Sequence, residues 1–337
     1  MKIMKLAVVV LLLLAFCGVS SAVDKINTKK GVYEYVIEKS DLNFEQASEA
    51  LLANIETHGF HLLATIDATS PDECSFRARV FTMYDSAYAE QLLQINRLTA
   101  PFAVVDRMNL FEDEAGVHVS IVNPMNINRT ILLDDHAYTE LSETHRQALR
   151  TLITDAVPGE QSDKQYGKIR KKGHIGKTMG VMAGGSFDGK IKDVVSLPDA
   201  DFTDVVSKLA TGLNENNDKW GMKVAYELNL KNQNVVIFGS TSPRIESKSF
   251  KIVKAGSDKS RKKFVCPGIA HAAGYPIEIV VSKEDDGVKV RLVNIMFRMK
   301  MYFEDAGKWA FMKNMGMPGS IQDELQDQIK TALDVKK

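Results

Sequence analysis

Val117-His118-Val119-Ser120-Ile121-Val122-Asn123-Pro124-Met125 returns later in the chain as Val288-Lys289-Val290-Arg291-Leu292-Val293-Asn294-Ile295-Met296, with five of nine positions identical. Apolar and polar residues alternate in both stretches, the period of a strand with one buried face. Val117, Val119 and Ile121 share one face and His118 and Ser120 the other; Lys289 at the position of His118 predicts that the second face tolerates solvent. An acidic turn closed by glycine precedes each copy, Glu112-Asp113-Glu114-Ala115-Gly116 and Lys283-Glu284-Asp285-Asp286-Gly287, which marks a hairpin. Pro101 and Pro276 each introduce the apolar stretch before that turn.

The likeness extends upstream. Asn43 precedes the helical stripe Phe44, Ala47, Leu51, Leu52 and Ile55, and Asp201 precedes Phe202, Val205, Val206, Leu209 and Leu213. Both leading side chains can accept from free N–H groups of a first turn, and Gln46 and Asp204 stand where a reciprocal capping partner belongs. Each helix then meets a glycine–apolar step, Gly59-Phe60 or Gly221-Met222, that opens a strand. The first copy reads as strand 31–39, helix 44–57, strands 60–69 and 75–84, a short helix 86–97, strands 101–111 and 117–124, and a closing helix 139–156. The second reads as strand 188–197, helix 202–217, strands 221–230 and 233–240, a helical stretch 244–254, strands 275–283 and 288–296, and helix 318–333. Hairpins with few intervening helices imply an α+β fold, an antiparallel sheet with helices on one face.

A chain of 337 residues suits two domains of about 130. Residues 1–22 read as a signal peptide: Lys2 and Lys5, then the apolar run Leu6 to Phe16, then Ser20 and Ala22 at a cleavage site after Ala22. That run is too short to span a bilayer, and no later segment is apolar enough. The expected location is therefore periplasmic or extracellular, the alternative being a lipoprotein cut before Cys17, where Phe16 departs from the small residue expected. Loss of Lys2 and Lys5 leaves 41 basic residues against 43 acidic, which excludes the basic excess of a nucleic-acid binder. Cys74 and Cys266 remain, as two thiols or one bridge. The domains expected are 23–157 and 186–337, joined by a basic, glycine-containing linker, 158–185, with Lys168, Arg170, Lys171, Lys172, His174 and Lys177.

The order strand, helix, four strands and helix, with its helix-Gly-Phe-strand step and the Asn-Pro after the last strand, resembles the family called domain of unknown function 302. Phe44 to Ile66, Val80 to Leu93 and Ala100 to Met125 carry the resemblance, and Phe202 to Met296 is a more distant likeness. The resemblance implies two tandem TBP-like modules, paired as a pseudo-dimer within the chain, with homo-oligomers a further option and no established activity. The family's cysteine-bearing steps become Tyr84-Asp85-Ser86 and Ala100-Pro101-Phe102 in the first copy, and Ser240-Thr241-Ser242-Pro243 and Phe264-Val265-Cys266-Pro267 in the second. Thiol chemistry is therefore not carried over.

Candidate chemistry is sparse, and no motif asks for a cofactor. Gly173-His174-Ile175-Gly176-Lys177-Thr178 has Lys171 where a phosphate-binding loop needs glycine. Asp134, Asp135, His136 and His145 form the best acidic–imidazole cluster, in a spacing that matches no standard ligand set; their convergence would mark a hydrolytic enzyme. His58 and His61 bracket a helix end, where the dipole favours them. Met296, Met299, Met301, Met312, Met315 and Met317, with Cys266 and His271 upstream, admit two readings. Thioethers line adaptable apolar grooves, which points to a non-catalytic module binding a small apolar ligand or a partner protein. They also ligate copper, with Cys266, His271, Met299 and Met301 the candidate set. The alternation of Arg298-Met299-Lys300-Met301-Tyr302-Phe303 predicts a strand with residues 299, 301 and 303 on one face.

Overall fold

A computed structural model of the chain describes residues 27, 29–133, 138–170, 184–215 and 219–335. In its first half β1 (Tyr33–Ser40) leads to α1 (Phe44–Ile55), β2 (His61–Ala68), β3 (Ala78–Tyr84) and α2 (Ser86–Ile95). Then come β4 (Asp106–Asp113), β5 (Gly116–Val122), α3 (Pro124–Ile131) and α4 (Thr139–Ala156), with two short strands, β6 (Gly159–Gln161) and β7 (Gln165–Tyr166). The second half runs β8 (Ile191–Leu197), α5 (Phe202–Gly212), β9 (Lys223–Leu230), β10 (Val235–Thr241), α6 (Pro243–Val253), β11 (Ile277–Glu284) and β12 (Gly287–Val293). It closes with α7 (Ile295–Phe303), α8 (Lys308–Lys313) and α9 (Gly316–Ala332).

The helix starts follow from their capping residues. Asn43 accepts from Gln46 N while the Gln46 side chain accepts from Asn43 N, satisfying two otherwise orphaned donors of α1. Asp201 accepts from Asp204 N at the start of α5. The repeated asparagines do the same: Asn123 accepts from Met125 N and Asn294 from Phe297 N, so the duplicated stretch specifies a strand and the start of the helix behind it.

All strand pairings are antiparallel, and the two sheets have one strand order. The first is β2-β3-β4-β5-β1, extended by β6 and β7 on β1; the second is β9-β10-β11-β12-β8. The extension corrects the reading of 158–185 as linker throughout: residues 159–161 and 165–166 pair with β1. Arg170 is buried and donates to Met301 O and Glu304. Residues 171–183, which hold the phosphate-loop-like segment, lie outside the described residues.

One face of the first sheet packs Phe81, Met108, Leu110, Val119 and Ile121 against Phe44, Leu51, Leu149 and Leu152 of α1 and α4. The other face is also buried. The 3-10 segment Pro267–Gly274 of the second half lies across β3, β4 and β5. Asn109 Nδ2 donates to Ile269 O and Ala270 O at 3.1 Å each, and Tyr166 OH donates to Ala270 O at 2.7 Å. This overturns the expectation drawn from Lys289. His118 is 3% exposed, its Nε2 2.8 Å from Asp113 Oδ1 and its Nδ1 bonded to Glu38 O. Burial works against ionised Asp113, yet His118 and Arg261 hold its carboxyl below the usual range.

Two further differences concern single elements. Ala100–Phe102 forms a 3-10 turn and the strand begins only at Asp106, because Pro101 suits a first helical turn and has no N–H for a ladder. Arg298–Phe303 belongs to a helix, not a strand. Its alternation misleads because Arg298 and Lys300 are buried along with Met299, Met301, Tyr302 and Phe303, so no polar face identifies the period.

Candidate functional site

Met299 and Phe303 on α7 form the floor of a cleft walled by Ser249 and Ile252 of α6 and by Met317 and Pro318 at the start of α9. Ala306, Phe311 and Asn314 close it from the side of α8. Ser242 caps α6 by accepting from Ile245 N, with Pro243 in its first turn, and Gly307 at φ 86° turns the chain into α8. The Ser249 hydroxyl lies 2.6 Å from Tyr275 OH, which in turn donates to Met299 Sδ at 3.6 Å. Burial pushes the Tyr275 phenol well up, so the group remains a neutral donor. An apolar wall with few fixed polar groups is the usual construction of a small-molecule site.

The cleft holds about 40 Å³ of space for the centre of a water-sized sphere, room for roughly three waters. A larger occupant extends out of the cleft or displaces α8. That helix has six residues, none of them buried, and it exposes Trp309 at 75% together with Met312; Met315 just beyond it is also exposed. Few contacts oppose its displacement, which is the mark of a local-opening segment. Another cleft, of about 370 Å³ by the same measure, lies between α2 and the β9–β10 hairpin, but its rim is Ser86, Glu90, Asn229, Lys231, Asn232 and Gln233.

The methionines expected to act together are separated. Met299 faces the cleft; Met301 is two residues on, about 200° around the helix. On the strand expected from the sequence they would have shared a face. Met296 is half-buried in the first turn of α7. Cys266 is half-buried with Cys74 as its thiol neighbour, whereas His271 is buried, its Nε2 3.1 Å from Asp305 Oδ2. Among the described residues no group of three or more histidine, cysteine, aspartate or glutamate side chains could hold a metal ion. Asp134, Asp135 and His136 lie outside the described residues. His145 is buried, stacked 3.5 Å from the Tyr88 ring with Nε2 2.8 Å from Asp106 Oδ2.

Between the halves lies a buried cluster of charges. Glu278 on β11 accepts from Arg107 of β4 at 2.9 Å and from Arg298 of α7 at 2.7 and 3.1 Å. Both guanidiniums stand 4.6 Å from the centre of the Tyr302 ring, whose hydroxyl accepts from Arg107. Burial opposes ionisation of Glu278, but Arg298 and Arg107 outweigh it and hold its carboxyl below the usual range. All four side chains are under 9% exposed, so the cluster binds the halves and is closed to a substrate.

Cleft residues outside the methionine run, namely Ser249, Ile252, Phe303, Phe311, Asn314 and Pro318, were not foreseen. The one available signal was Trp309-Ala310-Phe311-Met312 between Gly307 and Gly316, a short apolar segment with no strand or long helix to bury it. Among the described residues no helix is long and apolar enough to cross a membrane.

No family model and no curated protein matches the chain. Among solved structures it is similar to an uncharacterised conserved protein of the domain of unknown function 302 from Bacillus stearothermophilus. The two share 12% identity over 37% of this chain and 98% of that one, with a TM-score of 0.32.

Proposed function

We propose that this is an exported, non-catalytic binding protein that takes a small apolar ligand into the cleft between α6, α7, α8 and α9. It is built from two modules like domain of unknown function 302, residues 23–157 and 186–337, paired within one chain. The observation that carries the binding reading is the cleft itself: Met299, Phe303, Phe311 and Met317 converge there, and a segment without buried residues covers them. The shared strand order supports the duplication, and the signal-like residues 1–22 support export. Copper binding has weaker support, since Met299 and Met301 point to opposite sides of α7.

The test is native mass spectrometry of protein purified from its own host, followed by titration with the apolar fluorophore 1-anilinonaphthalene-8-sulfonate. A reproducible extra mass and saturable fluorophore binding are expected. Ala306→Trp fills the cleft and weakens binding at least tenfold, or about 1.4 kcal/mol. Equal binding by the parent and A306W sinks the cleft as the site. A bare chain that takes up no fluorophore shifts the reading to a partner protein seated on Trp309.

A further inference from the structure

We propose that Cys74 and Cys266 form a reversible disulfide that locks the first half of the chain to the second. The inference rests on neither the ligand reading nor export, only on the placement of the two thiols. Cys74 lies in the loop between β2 and β3, and Cys266 immediately precedes the 3-10 segment Pro267–Gly274. Each loop is held by the opposite half. Val265 N donates to Glu114 Oε1 at 2.5 Å, and Arg261 Nε lies 2.6 Å from Asp113 Oδ2. On the other side Thr69 N donates to Glu246 Oε2 at 2.8 Å, and Lys251 Nζ is 3.2 Å from Glu73 Oε2. Between these anchors the two half-buried thiols are neighbours: Gly268 packs on the Phe250 backbone and Glu73 pairs with Lys251, which brings both loops to the same end of α6.

The backbone at Cys266 adds a second observation. Its φ is 52°, the left-handed region in which glycine is unstrained and a residue with a Cβ is not. A thiol therefore stands where the chain conformation alone favours glycine.

The step balances with an external low-molecular-weight disulfide as oxidant. The Cys74 thiolate attacks one of its sulfurs, the external S–S bond breaks, and one thiolate leaves. Cys266 then gives its proton to solvent and attacks Cys74 Sγ, expelling the second thiolate. Two protein thiols are oxidised by two electrons, the external disulfide is reduced, and the two protons lost by the protein end on the two small thiols it becomes. Burial pushes the Cys266 thiol up to about 12, and the adjoining Cys74, Glu73 and Glu114 add to the effect, so Cys266 is the slower nucleophile and acts second.

The purified full chain is equilibrated across ratios of glutathione to glutathione disulfide, quenched in acid, alkylated and digested without reductant. The expected result is a monomer lighter by two hydrogens, a linked peptide pair containing Cys74 and Cys266, and loss of alkylation at both as the ratio becomes oxidising. Cys74→Ser leaves Cys266 fully alkylated; Cys266→Ser does the converse for Cys74. Should C266S fail to fold, C74S and the parent chain still decide. Alkylation of both thiols at every ratio overturns the proposal, as does a link found only to Cys17 or only between chains.

Discussion

Replacing Glu278 with glutamine removes the one carboxylate that Arg107 and Arg298 share. The side chain accepts three charge-assisted hydrogen bonds, at 2.9, 2.7 and 3.1 Å, each contributing about 1.5–3 kcal/mol. An amide retains the shape but not the charge, and its NH2 must face a guanidinium. Two buried cations would then lie together without a counter-charge. Breaking a buried pair in this way costs about 3–5 kcal/mol. With a urea m-value of about 3 kcal/mol per M, the unfolding midpoint falls by about 1–1.7 M. Tryptophan fluorescence during urea unfolding at neutral pH measures it. Acid offers an internal control. The folded carboxyl lies below its usual 4.5, so its contribution is present above that value and is lost as pH falls through the lowered one. The gap between the parent chain and E278Q must therefore close in acid. Replacing Arg107, Glu278 and Arg298 together by Met, Leu and Met should recover most of the loss, because well-packed apolar groups match a buried ion cluster. A midpoint shift under about 0.3 M for E278Q refutes the view that this carboxylate neutralises the interface.

The remaining predictions are local. The Arg291 hydrogen bond, outweighing partial burial, holds the Glu284 carboxyl at about 2. Arg291→Met should return its titration toward 4.5, read from its side-chain NMR shift, and a value unchanged from the parent rejects the pairing. At Gly212 an added Cβ would lie 2.4 Å from the Cβ of Ala332, so G212A should destabilise by about 1–3 kcal/mol in urea despite the better helix former. Asn43→Ala removes the side-chain arm of the α1 capping box, the bond from Gln46 N, and should lose about 1 kcal/mol in the same assay, with no change as the contrary result.

What could be read from the sequence is what local periodicity encodes. The stripe from Phe44, the Asn43–Gln46 box and both hairpins closed by Gly116 and Gly287 depend on residues a few positions apart, and each stands where it was expected. The course of α7 was not legible, because the partners that permit Arg298 to be buried come from Gly274, Pro276 and Glu278. Nor was the burial of His118, which depends on residues 267–274 crossing its sheet. The cleft was half legible. Its methionines stood out, but their division between the cleft and the opposite side of α7 follows from a helix that the buried cations concealed.

Arg107 lies six residues before Asp113, where β4 turns at Gly116, and Glu278 lies six before Glu284, where β11 turns at Gly287. The two residues that meet at the centre of the molecule thus occupy one and the same position in the two halves. In a dimer of identical subunits, a residue near the two-fold axis faces its own copy, so this position would oppose arginine to arginine or glutamate to glutamate. In the pairing of two modules proposed above, the two positions lie in one chain and carry opposite charge, a contact that would favour the chain's own other half over a second molecule of it.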